Sequence, residues 1–139
     1  MNGTLQSSRE LLHALCDGID QNRSGAEVGV CVPYIYIPEA RQILRESPIL
    51  LGSQNVADQA FGAYTGEVSA RMLKDYDLKL AIVGHSERRL LYRESDELVA
   101  ARFKQAVDAG LVPVLCVGET LEQREHGETF NRVSAQLDA

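Results

Sequence analysis

The chain has 139 residues, of which 45% are hydrophobic and 24% are charged, a composition typical of one soluble globular domain. Its net charge is −6 at pH 7 and no basic run is longer than Arg88-Arg89, which argues against nucleic acid and anionic membranes as partners. The polar segment 1–10 and the shortness of every apolar run predict neither a signal peptide nor a membrane span. The three cysteines are far apart and form no Cys-x-x-Cys pair, which predicts reduced thiols, no metal site and a cytoplasmic location.

The chain opens with a helical pattern. Apolar residues recur every three or four positions between Leu12 and Ile19, which predicts a helix that begins at residue 5 or 8 and ends at about residue 20. Ser7 with Glu10 fits a capping box at its start.

Four apolar runs, each bounded by polar or turn residues, follow in alternation with helical segments. The predicted strands are residues 27–32, 48–54, 80–84 and 111–117. The predicted helices are residues 39–45, residues 69–76, a helix capped by Ser95 with an apolar face of Val99, Phe103, Ala106 and Val107, and stretches near 120–125 and 129–139. Strands that are apolar on both faces and separated by helices indicate parallel βα units. This order fits both an open doubly wound sheet and a closed barrel.

The most informative stretch is AIVGHSERR, residues 81–89, where a buried strand ends in Gly84-His85 and a helix starts at Ser86-Glu87. A backbone N–H of the following turn can bond one ring nitrogen of His85, which holds the ring neutral and leaves the other N–H to polarise a carbonyl. An isolated Gly-His pair more often marks a structural histidine. Residue type alone likewise makes Glu87 a solvated carboxylate at a helix start.

The same run resembles the histidine signature of the triosephosphate isomerase family. The likeness extends through LGSQNV (51–56), GAYTGEVS (62–69) and PVLCVGET (113–120). The resemblance implies a TIM (β/α)8 barrel, a fold that takes about 250 residues. Residues 1–139 are therefore expected to form a single partial-barrel domain of about four parallel βα units preceded by a helix.

The resemblance also implies an activity. Members of this family interconvert dihydroxyacetone phosphate and D-glyceraldehyde 3-phosphate in glycolysis and gluconeogenesis. The reaction is an aldose–ketose isomerisation by proton transfer through an enediol or enediolate. It uses no cofactor and no metal, and the enzyme is a homodimer.

The family's site residues carry over to positions that match its motifs. His85 is the electrophile, Ser86 and Glu87 support it, Cys116 packs beside the site and Glu119 holds the substrate lid. Considered without the family resemblance, Cys116 is predicted to be a small buried hydrophobic residue.

The loop at residues 54–69 carries the implied dimer contacts. Connections of this length usually bind something. The resemblance places Thr65 at the partner's active site and pairs Glu67 with Arg88 across the interface. Considered without the resemblance, Thr65, Glu67 and Arg88 are predicted to be ordinary solvated surface residues.

Two family residues have no match. The family's first strand ends in Asn-x-Lys, and Met1-Asn2-Gly3-Thr4 resembles the sequence that directly follows that lysine in the family. The family's base, a glutamate, belongs to a segment beyond residue 139. The chain by itself is therefore expected to be inactive. The alternative function is a non-catalytic half-barrel module for interaction or assembly. An unrelated phosphate binder ranks far behind, because the chain has neither Gly-x-x-x-x-Gly-Lys nor Gly-x-Gly-x-x-Gly.

Overall fold

A computed structural model describes residues 2–21 and 25–139, and within these ranges it contains seven α-helices and four strands. The helices are α1 (Leu5–Gln21), α2 (Ile37–Ile43), α3 (Ala70–Asp75), α4 (Ser86–Leu91), α5 (Asp96–Asp108), α6 (Leu121–Glu125) and α7 (Thr129–Asp138). The strands are β1 (Gly29–Val32), β2 (Leu50–Ser53), β3 (Leu80–Val83) and β4 (Val112–Leu115), and a 3-10 turn, Tyr34–Tyr36, precedes α2. No helix in the described ranges is long and apolar enough to cross a membrane.

The four strands form one parallel sheet in the order β1-β2-β3-β4. Strands that are consecutive in sequence are therefore neighbours in the sheet. Because parallel crossovers are right-handed, an order that never reverses places all the connecting helices on one face. A doubly wound sheet needs a reversal of strand order, so the topology excludes it in favour of the winding of a barrel.

The face that meets the helices holds the core. Val32, Leu51, Ala81 and Val83 alternate along β1, β2 and β3 and are all buried in one hydrophobic cluster. The helices contribute further buried residues to this cluster, including Leu12, Ala40, Leu73, Val99 and Ala106. This is the pattern of a parallel sheet covered by amphipathic helices.

The opposite face of the sheet is narrow and partly open. A Cβ at Gly52 would lie 2.6 Å from Cys31 Sγ and 2.7 Å from Leu80 Cβ, so this position has room only for glycine. On β4 the same face is exposed, with Val112 61% and Val114 43% accessible. In a closed barrel such side chains point into the interior.

The start of α1 differs from the predicted capping box. The Thr4 hydroxyl accepts a hydrogen bond from the Ser7 N–H at 3.2 Å, and the Ser7 hydroxyl accepts one from the Thr4 N–H at 2.8 Å. Glu10 instead accepts from the Gln6 amide at 2.7 Å. The reciprocal pair lies one turn earlier than predicted, because a helix that begins at Leu5 needs its cap at Thr4.

The predicted apolar face of α5 is also partly wrong. Ser95 caps the helix as predicted, accepting from the Leu98 N–H at 3.2 Å, and Val99 and Ala106 are buried. Val107, however, is half exposed, and Arg102 is buried in its place. The reason is a hydrogen bond: the Arg102 guanidinium donates to the Val56 carbonyl oxygen, which ties this side of α5 to the segment that follows β2.

Candidate functional site

The ends of β3 and β4 border a cleft of about 720 Å³, whose lining includes His85, Ser86, Cys116 and Glu119. A second cleft of similar volume lies at the opposite end of the sheet, beside the starts of β2 and β3, and contains none of the predicted site residues. Parallel α/β proteins place their chemistry at the carboxyl ends of the strands. We therefore assign the candidate site to the first cleft.

His85 is held by the first turn of α4. Its Nδ1 accepts a hydrogen bond from the Glu87 N–H at 3.3 Å, and its carbonyl oxygen accepts from the Arg88 and Arg89 N–H groups at 2.9 and 3.1 Å. A ring nitrogen that accepts a hydrogen bond carries no proton, so this contact assigns the neutral tautomer with its proton on Nε2. The side chain is 45% exposed and has an N–H available for a substrate oxygen.

Glu87 lies on the same side of the ring as this contact. Its Oε2 is 3.8 Å from His85 Nδ1, and its side chain is 71% exposed. Ser86, the first residue of α4, is also exposed. Because His85 Nδ1 is itself an acceptor, it gives the Glu87 carboxylate no hydrogen bond, and none of the described residues donates one to that carboxylate.

Arg89 joins the ends of β3 and β4, a role that the sequence did not reveal. Its Nε donates to the Gly84 carbonyl oxygen at 2.7 Å and its Nη2 donates to the Cys116 carbonyl oxygen at 3.3 Å. Its Nη1 pairs with Asp96, which also accepts two hydrogen bonds from Arg132, at 2.7 and 3.1 Å. One usable signal was present: Arg89 follows His85 by one helical turn, which directs its side chain back toward the strand ends.

The segment after β4 is held by α7. The Gln136 amide accepts from the Gly118 N–H at 2.8 Å and donates to the Gly118 carbonyl oxygen at 2.9 Å. Glu119 pairs with Arg124 at 2.9 Å, and a backbone N–H bond together with this arginine lowers the pKa of Glu119. Burial raises the pKa of the Cys116 thiol, which disfavours the thiolate and fits a packing role.

The residues predicted for the dimer contact, Thr65, Glu67 and Arg88, are not in the lining of this cleft. Glu67 pairs with Arg102 at 3.2 Å. The buried Glu94 pairs with Arg102 at 3.2 Å and with Arg88 at 2.8 Å. These three ion pairs connect Glu67 to Arg88 through Arg102 and Glu94, all within a single polypeptide. Thr65 stays exposed. Sequence reasoning missed Arg102 and Glu94, because the sequence gives no sign that these two charged residues are buried together.

The described residues contain no group of three or more His, Cys, Asp or Glu placed to hold a metal ion. His13 and His126 are both exposed and lie outside the lining of this cleft, and His126 Nδ1 lies 2.7 Å from the Glu122 carbonyl oxygen.

A singly wound parallel sheet with a histidine and an acidic residue at its carboxyl edge defines an α/β protein of the TIM-barrel class, here with four of the βα units. The family model for triosephosphate isomerase matches residues 1–139. The chain belongs to this family.

Known proteins with similar sequences carry the same name. The chain is 56% identical over 138 residues to a triosephosphate isomerase of Methylococcus capsulatus, covering 99% of this chain and 54% of that protein. It is 50% identical over 139 residues to one of Thiobacillus denitrificans, covering 100% of this chain and 54% of that protein. It therefore spans about half the length of the curated relatives that it matches.

A solved structure gives the same result. The crystal structure of the triosephosphate isomerase of Bartonella henselae superposes with a TM-score of 0.91 at 43% identity, covering 99% of this chain and 56% of that one. The four βα units therefore adopt the geometry of part of a TIM barrel.

Proposed function

We propose that this chain is part of a triosephosphate isomerase that interconverts dihydroxyacetone phosphate and D-glyceraldehyde 3-phosphate, and that His85 is its electrophile. One observation carries the proposal: His85 Nδ1 accepts the Glu87 N–H at the carboxyl end of β3. That contact leaves Nε2–H as the group to present to a substrate oxygen.

The chemistry needs a neutral donor at this position. A base removes a proton from the carbon beside the carbonyl, the electron pair moves onto the oxygen, and an enediol or enediolate forms. The Nε2–H of His85 would donate to that oxygen and stabilise the charge as it develops. A proton then moves from the hydroxyl oxygen to the former carbonyl oxygen, and the base returns its proton to the former carbonyl carbon, which leaves the new carbonyl on the neighbouring carbon. No oxidant, reductant or cofactor is consumed.

The base and the phosphate-binding lysine are proposed to come from outside residues 1–139. We place Glu87 beside that lysine, since its carboxylate is exposed next to His85 and an ammonium group could pair with it. Ser86 and Cys116 would shape the site, and Glu119 would hold its lid.

We further propose that the active assembly is a homodimer in which the loop carrying Thr65 and Glu67 meets the Arg88 side of a second subunit. Support comes from exposed apolar side chains near these positions, where a monomer would leave them in water. Phe61 is 83% exposed, and Leu91 and Tyr92 on the Arg88 side are also exposed.

A chimeric enzyme tests the assignment of His85. Residues 1–139 would replace the matching part of the Methylococcus capsulatus protein, and isomerisation would be followed in both directions. We expect His85→Gln to lower kcat by about 100- to 1,000-fold with little change in KM, because an oxyanion donor acts chiefly in the transition state.

His13→Gln, on the exposed surface of α1, is the matched control and should retain full activity. The polypeptide 1–139 alone should not isomerise either substrate. A chimera that keeps its kcat after His85→Gln would contradict the role of His85, and turnover by 1–139 alone would contradict an external base.

A further inference from the structure

Arg89 forms hydrogen bonds to the backbone on either side of the His85 side chain. The Gly84 carbonyl, which accepts from Arg89 Nε at 2.7 Å, belongs to the same planar peptide group as the His85 nitrogen. The Arg89 backbone N–H also donates to the His85 carbonyl oxygen, at 3.1 Å. One residue therefore holds the backbone on both sides of the His85 side chain.

The same guanidinium relates His85 to the next strand. Arg89 Nη2 donates to the Cys116 carbonyl oxygen at the end of β4, 3.3 Å away, so the two strand ends that border the cleft share one anchor. The Arg89 side chain is only 11% exposed, which limits competition from water.

Asp96 and Arg132 fix the guanidinium in turn. Asp96, the first residue of α5, pairs with Arg89 Nη1 and accepts both Arg132 hydrogen bonds from α7. Planar guanidinium groups suit such multidentate contacts, whereas an ammonium group cannot occupy three separated acceptors with the same geometry.

We propose that Arg89 is a positioning residue for His85. Its side chain, braced by Asp96 and Arg132, sets the orientation of the Gly84–His85 peptide and the distance of the histidine from the end of β4. This inference rests on the proposed function for its catalytic consequence, but its geometric content does not depend on that function.

The test compares Arg89→Lys with Arg41→Lys in the chimera described above. Arg41 also pairs with an aspartate, Asp77, but lies beside the second cleft at the opposite end of the sheet. We expect Arg89→Lys to lower kcat by about 10- to 100-fold with KM nearly unchanged, because a small misplacement of a catalytic group is costly. Arg41→Lys should change neither constant.

A second readout separates positioning from stability. In protein with 15N-labelled histidine, the ring nitrogens of His85 should show the Nε2–H tautomer in the parent and a shift toward mixed tautomers in Arg89→Lys. Asp96→Asn should move kcat and these signals in the same direction but less far.

A folded Arg89→Lys protein with parental kcat and unchanged His85 signals would overturn the proposal. If that variant fails to fold, Asp96→Asn decides, and unchanged kcat and ring signals there would overturn it equally. If the parent chimera has no isomerase activity, the proposed function fails, while the nitrogen signals still report whether Arg89 orients His85.

Discussion

Gly84 has a backbone φ of +70° immediately before His85, in the region that favours glycine. A Cβ at this position would lie 2.8 Å from both Arg89 Nη2 and Val99 Cγ1. The glycine therefore serves two needs, since it permits the turn out of β3 and makes room for the guanidinium that binds its carbonyl oxygen.

A pair of glycine substitutions separates these two needs. Gly110 has a φ of +74°, and a Cβ there would meet nothing within 4 Å, so Gly110→Ala measures backbone strain alone. We expect Gly110→Ala to lower the free energy of unfolding by about 1–2 kcal/mol and Gly84→Ala to lower it by about 3–4 kcal/mol. Equal losses for the two variants in urea denaturation would show that the close contacts at Gly84 carry no cost.

Asp96 connects three helices, because it begins α5, pairs with Arg89 of α4 and accepts two hydrogen bonds from Arg132 of α7. The hydrogen bond from Arg132, followed by that from Arg89, holds the pKa of Asp96 below its usual value of 3.8. A carboxyl group whose folded-state pKa is depressed stabilises the protein above its unfolded pKa and loses that contribution as pH falls through the folded value.

This linkage predicts a pH-dependent variant. Asp96→Asn should lower the free energy of unfolding at pH 7, and the difference from the parent should shrink below about pH 4 as the parent carboxylate is protonated. Urea denaturation between pH 7 and pH 2.5 measures it. Asp108→Asn, which removes the exposed partner of Lys104, is the control and should change little. A difference that is constant with pH would rule out an ionic role for Asp96.

At the scale of the whole molecule, the proposed dimer contact is tested by a double-mutant cycle. Within one subunit Glu67 and Arg88 do not pair directly, and they are connected only through Arg102 and Glu94. If they meet between subunits, Glu67→Gln and Arg88→Gln should each weaken the chimeric dimer, and the double variant should weaken it by less than the sum. The dissociation constants would come from sedimentation equilibrium.

A coupling of about 0.5–3 kcal/mol is expected for residues in contact. The same cycle on the exposed pair Lys104 and Asp108 serves as the control and should leave the dimer unchanged. Additive effects for Glu67 and Arg88 would contradict the contact.

Much of the fold could be predicted because its signals are local. Each of the four predicted strands contains an observed one, and α5 begins after Ser95 as predicted. Side-chain caps and apolar periodicity act over a few residues, so they can be recognised from the amino-acid sequence alone. The strand ends were less predictable, because a strand extends only as far as its neighbour pairs with it. The run 111–117, for example, forms a strand only over Val112–Leu115.

The sequence by itself determined the alternation of strands and helices, the turn at Gly84 and the place of His85 at a helix start. Only the tertiary structure decided the strand order that distinguishes a barrel from a doubly wound sheet, the burial of Arg102 and the brace formed by Arg89, Asp96 and Arg132. The physical reason is the distance along the sequence between the residues that interact. A cap or a turn is made between near neighbours, whereas Asp96 and Arg132 are 36 residues apart and meet only once the strands and helices have packed.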